Sequence, residues 1–309
     1  MDNWNNKIVI VTRKTRLAEL IYKYNTIEQA KFYIEHMGVD FSDYILEDEN
    51  YRKALARVRD SAALFGRVQE IDREFVPNMI FGRNDIVVAV GQDGLVANVM
   101  KYLDGQPLIG VNPDTNRWDG VLLPFEADQL KDILPKVAAL EYNIQEVTMA
   151  EAVTRDGQSM LAVNDLFIGC RTHTSALYDI ILNGVRENHS SSGVIVSTGL
   201  GSSGWYKSVI NQVQRIAEAF GAGRIADTPL KWDDEQLAFT VREAFPSRAT
   251  QANLIFGRIK QDDRFTIISK MPANGVVFSD GMEDDAISFL SGTEVIIGIA
   301  KQKGKLVVR

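Results

Sequence analysis

The chain has 309 residues, 45% of them hydrophobic and 24% charged, and a formal net charge of −7 at pH 7. A chain of that length buries roughly three quarters of its unfolded surface, enough for one or two domains without covalent staples. The negative charge and the scattered Lys and Arg residues leave no footprint for duplex nucleic acid. The single cysteine, Cys170, excludes an internal disulfide, and His36, His173 and His189 lie too far apart for metal-ligand spacing.

In chain order, MDNWNNKIVIVT meets a strand-like run too early for a secretory signal peptide, and no apolar stretch approaches about 18 residues, so a cytoplasmic protein with no membrane span is expected. The run Lys7 to Thr12 reads as a buried strand. Leu17, Leu20, Ile21, Tyr24 and Ile27 then recur at helical spacing until Gly38, which predicts one helix. A second helical pattern lies within residues 48 to 65. Ile86 to Val90 is a continuous apolar strand, Leu95, Val99 and Leu103 mark a helix face ending at Gly105, and Leu108 to Val111 is another strand. Unbroken apolar strands alternating with amphipathic helices predict a parallel sheet covered on both faces.

After a helical segment around residues 126 to 140 the rhythm changes to short strands. Asp156-Gly157, Asn183-Gly184 and Asn274-Gly275 read as hairpin turns. One helix interrupts them, with Trp205, Val209, Val213, Ile216 and Phe220 on one face and Gly221 as its left-handed stop. The expected architecture is a Rossmann-like α/β domain over residues 1–140. A mostly antiparallel β domain follows over 141–309, with its last strands free to return to the first domain.

Four places carry polar chemistry. In Gly91-Gln92-Asp93-Gly94 a strand ends in a turn that feeds a helix, so backbone N–H groups and the helix dipole converge where phosphate oxygens bind well. A carboxylate there suits proton abstraction or help with Mg²⁺ in phosphoryl transfer, although such a turn is commonly just a helix cap. VSTGLGSSGW, residues 196 to 205, repeats the strand, turn and helix pattern with hydroxyls that either cap the helix or meet phosphate and ribose oxygens. Asn164-Asp165 puts an amide and a carboxylate inside an otherwise apolar strand, as ligands for base or ribose or as a wet bulge. Asp280-Gly281 reads most simply as a hairpin turn.

Together and in this order the four motifs resemble the NAD kinase family, which carries a G-G-D-G loop, an Asn-Glu pair, a T-G-S-type turn and a late D-G. The segments GVNPDTNRWDGVLLP at 110 to 124 and SSGVIVSTGLGSSGW at 191 to 205 are similar to the mitochondrial-type members. The resemblance covers roughly residues 86 to 300. It implies transfer of the γ-phosphate of ATP, or of a phosphoryl group from another donor, to the adenosine ribose 2′-hydroxyl of NAD with Mg²⁺ or another divalent cation, in a homo-oligomer, dimer or tetramer. Asp93 matches the catalytic base. Gly91, Gln92, Gly94, Asn164, Asp165, Thr198, Gly201, Ser202, Ser203, Gly204 and Asp280 match positions that line the nucleotide sites, and no residue is assigned as a metal ligand. Asp165 stands where Glu is usual, Leu95 where Thr is usual, and Gln92 where the family has glycine. At that point a side chain either fills space for the donor phosphates or donates to them, and left-handed backbone would cost it on the order of 1 to 2 kcal/mol. A nucleotide-binding relative with little or no kinase activity and a lipid or sugar kinase of the wider superfamily are the alternative readings.

Overall fold

The computed structural model describes residues 6–223 and 229–309, in two compact units, 1–145 with 305–309 and 146–304.

The first unit is α/β. Strand β1 (Lys7–Thr12) leads into α1 (Arg16–Tyr24), α2 (Ile27–His36) and α3 (Ser42–Ala63). Then follow β2 (Arg67–Asp72), β3 (Ile86–Val90), α4 (Asp93–Met100), β4 (Leu108–Asn112), β5 (Phe125–Glu126) and α5 (Leu130–Ala138). Where one helix is expected from 17 to 38 there are two. Asn25 takes a left-handed φ of 68°, and the Thr26 hydroxyl accepts from Gln29 N to restart the chain as α2. The strands run parallel in the order β2-β1-β3-β4, with β5 beside the end of β4. All five residues of β3 and of β4 are buried, as a sheet packed on both faces demands. The edge strand β2, RVQEID, is polar and has no apolar signature. One core joins Ile8, Ile10, Val88 and Ile109 of the sheet to Leu55 and Val58 of α3 and Leu130 and Leu134 of α5.

The second unit is antiparallel β with one helix. It holds all but the first three residues of β6 (Asn143–Thr154), then β7 (Ser159–Ala162), β8 (Asp165–Cys170), β9 (Ala176–Leu182), β10 (Val185–Ser191), β11 (Val194–Ser197) and α6 (Trp205–Ala219). It continues through β12 (Gln236–Val241), β13 (Phe256–Lys260), β14 (Phe265–Ser269), β15 (Gly275–Ser279), β16 (Met282–Ser288) and β17 (Glu294–Val308). Strands β10-β9-β14-β17 form one ladder and β13-β12-β11-β8-β15-β16 another. Leu166 and Ile168 of β8 point into a core with Tyr178, Ile180, Phe265 and Ile267, while Phe167 between them faces the other way, onto α6, its ring 5.6 Å from that of Trp205. The final residues of β17 belong to the first unit, where Leu306 pairs in parallel with Leu108.

Asp156-Gly157 and Asn183-Gly184 turn hairpins β6-β7 and β9-β10. Asn274-Gly275 does not, because β14 and β15 lie in different ladders. The hairpin there is β15-β16, turned by Asp280 and Gly281 at φ 54° and 71°. On α6 only Trp205 and Val209 pack as expected, and Val213, Ile216 and Phe220 are exposed.

Candidate active site

In the first unit the parallel strands β1, β3 and β4 end in Thr12, Val90 and Asn112, so Arg13, Gly91 and Pro113 emerge side by side at the carboxyl edge of the sheet. That edge is where open α/β sheets bind ligands.

Gln92 is the N-cap of α4 with φ −118° and ψ 165°, extended backbone open to any residue, and its side chain makes no capping bond. The left-handed strain considered for Gln92 is therefore absent. Gly91 is the tighter position, because a Cβ there would meet Leu95 Cδ2 at 2.9 Å and Arg13 Cδ at 3.4 Å, whereas one at Gly94 would meet open space.

Asp93 is the first residue of α4. Its carboxylate accepts from Leu122 N at 2.7 Å and from Val121 N at 3.3 Å. The loop carrying those amides is built around Asn112, whose Nδ2 donates to Trp118 O at 2.9 Å and whose Oδ1 accepts from Asp114 N at 3.0 Å. Gly110 lets the loop return, since a Cβ there would stand 2.0 Å from Leu122 O. The GVNPDTNRWDGVLL stretch is thus a clamp that aims the Asp93 carboxylate. An ionised carboxylate has about four lone-pair sites, so two amide donors leave capacity for a hydroxyl proton.

Arg13, Glu47 and Tyr51 were not legible as site residues. The Tyr51 hydroxyl accepts from Arg13 N at 3.0 Å and donates to Val90 O at 3.1 Å, joining the ends of β1 and β3. Burial pushes that phenol up to about 12, so it works as a neutral bridge. Arg13 Nη2 donates to Glu47 Oε1 at 2.9 Å and Nη1 to Lys14 O at 3.1 Å, and the guanidinium carbon lies 5.6 Å from the Tyr51 ring centroid. Burial alone would raise the Glu47 carboxyl, but hydrogen bonds from Arg16 and Arg13 outweigh it and hold the group below its ordinary value. Hydrogen bonds from Arg117 and Arg16 likewise hold the Asp43 carboxyl well below the usual carboxylate range. The visible signal was TRKTR directly after an apolar strand.

In the second unit three motifs converge. Asp165 is the first residue of β8, pairing with Ser197 of β11, and Asn164 lies just before the strand and not within it. The Asp280 carboxylate accepts from Val163 N at 3.1 Å, Asn164 N at 2.6 Å and Asp165 N at 3.2 Å. Thr198 Oγ1 donates to Val163 O at 2.5 Å and accepts from Gly201 N at 3.1 Å. Gly201 packs so closely that a Cβ would lie 1.9 Å from Asn164 O. Ser202 and Ser203 donate to Gly199 O and Leu200 O, three residues back, so their hydroxyls close the turn. Gly204 is the N-cap of α6. Asp280 and the three hydroxyls are thus framework for the corner that presents Asn164, which is partly exposed, and Asp165, which is buried. Burial, with the Asp280 charge adding to it, pushes the Asp165 carboxyl up to about 7. Near neutrality that group is able to donate as well as accept a hydrogen bond.

No family model matches the chain. The fold is that of the NAD and NADH kinases: yeast NADH kinase complexed with NADH superposes with a TM-score of 0.60 at 14% identity, covering 99% of this chain and 84% of that one. The NAD kinase of Archaeoglobus fulgidus in complex with ATP gives 0.55 at 17% identity, over 97% of this chain and 92% of that one. In sequence the chain is similar to the NAD kinase of Saccharolobus solfataricus, 30% identical over 129 residues, which are 42% of this chain and 49% of the relative. It is also similar to that of Lachnoclostridium phytofermentans, 33% identical over 133 residues, 39% of this chain and 45% of the relative. The matches thus span about half the length of these curated relatives.

Proposed function

We propose that this protein is an NAD kinase, transferring the γ-phosphate of ATP to the 2′-hydroxyl of the adenosine ribose of NAD to give NADP and ADP. The observation that carries the proposal is Asp93, a carboxylate aimed by two loop amides at the start of a helix that follows a buried parallel strand. The similarity to NAD kinases over part of the chain supports it.

In this mechanism Asp93 accepts the 2′-hydroxyl proton as the ribose oxygen bonds to the γ-phosphorus. The bond from that phosphorus to the bridging oxygen breaks, and its electron pair leaves with ADP. Asn164 and Asp165 hold the dinucleotide through its base or ribose. Among the described residues no three His, Cys, Asp or Glu side chains are grouped to cage a metal. A magnesium ion carried on the donor phosphates, with a carboxylate such as Asp93 beside it, would neutralise phosphate charge. Placement near the mitochondrial-type members, a cytoplasmic location and a homo-oligomer belong to the same proposal. The edge strands β10 and β13 support the last, and sedimentation tests it. No helix among the described residues is long and apolar enough to cross a membrane.

The test is to incubate the purified protein with NAD, ATP and Mg²⁺ and to measure NADP. Asp93→Asn should slow transfer by roughly 10² to 10⁴ while NAD still binds. A wild type that makes no NADP defeats the kinase reading. A variant as fast as wild type reduces Asp93 to a tether for the 121–122 loop.

A further inference from the structure

The strand order β2-β1-β3-β4 reverses direction at β1. The chain leaves β1 for β2 on one side, then crosses back to lay β3 on the other. In open α/β sheets the gap outside the carboxyl ends of two such strands is the binding crevice, because the connections leave in opposite directions and do not cover it. Here that gap is flanked by Arg13 and Gly91, the residues that follow β1 and β3.

These two residues are fitted to each other. A Cβ on residue 91 would lie 3.4 Å from Arg13 Cδ and 3.5 Å from Arg13 Nε, so the guanidinium lies against the bare backbone of the Gly91-Gln92-Asp93-Gly94 turn. Its position is fixed by Glu47, the Lys14 carbonyl and the Tyr51 ring, and by Tyr51 bridging Arg13 N to Val90 O. Its Nε is buried without a hydrogen-bond partner, which is costly for a charged donor unless a further acceptor arrives. Glu47 does not depend on Arg13 alone, since Arg16 Nε also pairs with it at 2.5 Å. Arg13 is thus a held cation with spare donors at the switch point, and a guanidinium fork suits phosphate oxygens.

We infer that Arg13 binds the phosphates of the phosphoryl donor at the β1/β3 crevice. This rests on the kinase reading for the name of the donor, while the phosphate chemistry stands on the geometry. Arg13 positions the donor and takes no part in proton transfer.

The test is calorimetric titration of the full chain with Mg·ATP, with inorganic tripolyphosphate and with NAD, for wild type, Arg13→Gln and Arg13→Lys, with melting curves for each. Arg13→Gln should weaken ATP and tripolyphosphate at least tenfold, and Arg13→Lys, which keeps the charge but loses the fork, three- to tenfold, while NAD affinity stays within twofold. Should Arg13→Gln fail to fold, Arg13→Lys alone decides. Unchanged ATP affinity in a folded variant, a loss confined to NAD, or a wild type that binds neither polyphosphate would overturn the inference. A wild type that binds ATP through Arg13 yet forms no NADP would leave the inference standing and remove the kinase reading.

Discussion

Asp165 and Asp280 show how two acidic residues of one site divide their work. Asp280 stands at φ 54° in a hairpin turn and gives its carboxylate to three consecutive amides. Asp280→Asn keeps a residue that tolerates left-handed backbone and removes the charge, so it should cost about 1 to 3 kcal/mol in chemical denaturation, and Asp280→Ala should cost more because it adds backbone strain. Asp165 is 8% exposed, and its carboxyl is raised to about 7 from an ordinary 3.8, so the folded state binds a proton that the unfolded chain has already released between those values. Its contribution therefore favours folding at acid pH and is lost as pH rises from about 4 to about 7, by about 4 kcal/mol at most. Asp165→Asn should remove this part of the decline and raise the melting temperature at pH 8. Denaturation curves at pH 5 and pH 8 that shift equally in wild type and variant would contradict it.

The turn between β3 and α4 is the element on which the expectation and the structure differ most usefully. A side chain in place of the family glycine suggested left-handed strain at Gln92, yet the backbone there is extended and the need for glycine falls one residue earlier, at Gly91. Gln92→Gly therefore has no strain to relieve. It should leave stability within about 1 kcal/mol of wild type, the entropic cost of glycine being offset at an N-cap that Gln does not fill. If the Gln side chain occupies donor space, the same change lowers the Michaelis constant for ATP in a steady-state assay, and a rise would show that the amide contacts phosphate. Gly110→Ala acts on the same element from outside. Its Cβ would collide with Leu122 O, so it should pull the Val121 and Leu122 amides off Asp93 and cost more in turnover than in NAD affinity.

For the molecule as a whole, the motifs fall into different units, with Arg13 and the Gly91–Gly94 turn in the first and Asn164, Asp165, the 198–204 turn and Asp280 in the second. Under the proposed function the donor contacts of Arg13 and the Gly91–Gly94 turn belong to the first unit, and the dinucleotide contacts of Asn164 and Asp165 to the second. Asn164→Ala should weaken NAD by the factor of 10 to 100 that a lost buried hydrogen bond brings, and leave tripolyphosphate binding within twofold. Equal losses for both ligands would mean that the variant has disturbed the fold and not one contact.

Much of the plan was written in local pattern. Runs such as KIVIVT and IVVAV read as buried strands because a sheet covered on both faces admits only apolar residues, and the four polar motifs stood out against that background. The polar edge strand β2 and the break at Asn25 carried no such pattern, since an edge strand faces water and a helix break turns on one backbone angle. Only the tertiary structure decided what each motif is bonded to. The bonds that define them join residues 28 or 29 positions apart at Asp93 and 115 to 117 at Asp280, and chain closure over such distances leaves no local trace. For the same reason Arg13 reads as one scattered cation in the sequence. It becomes a candidate ligand only when the crossover past β1 brings Gly91 beside it.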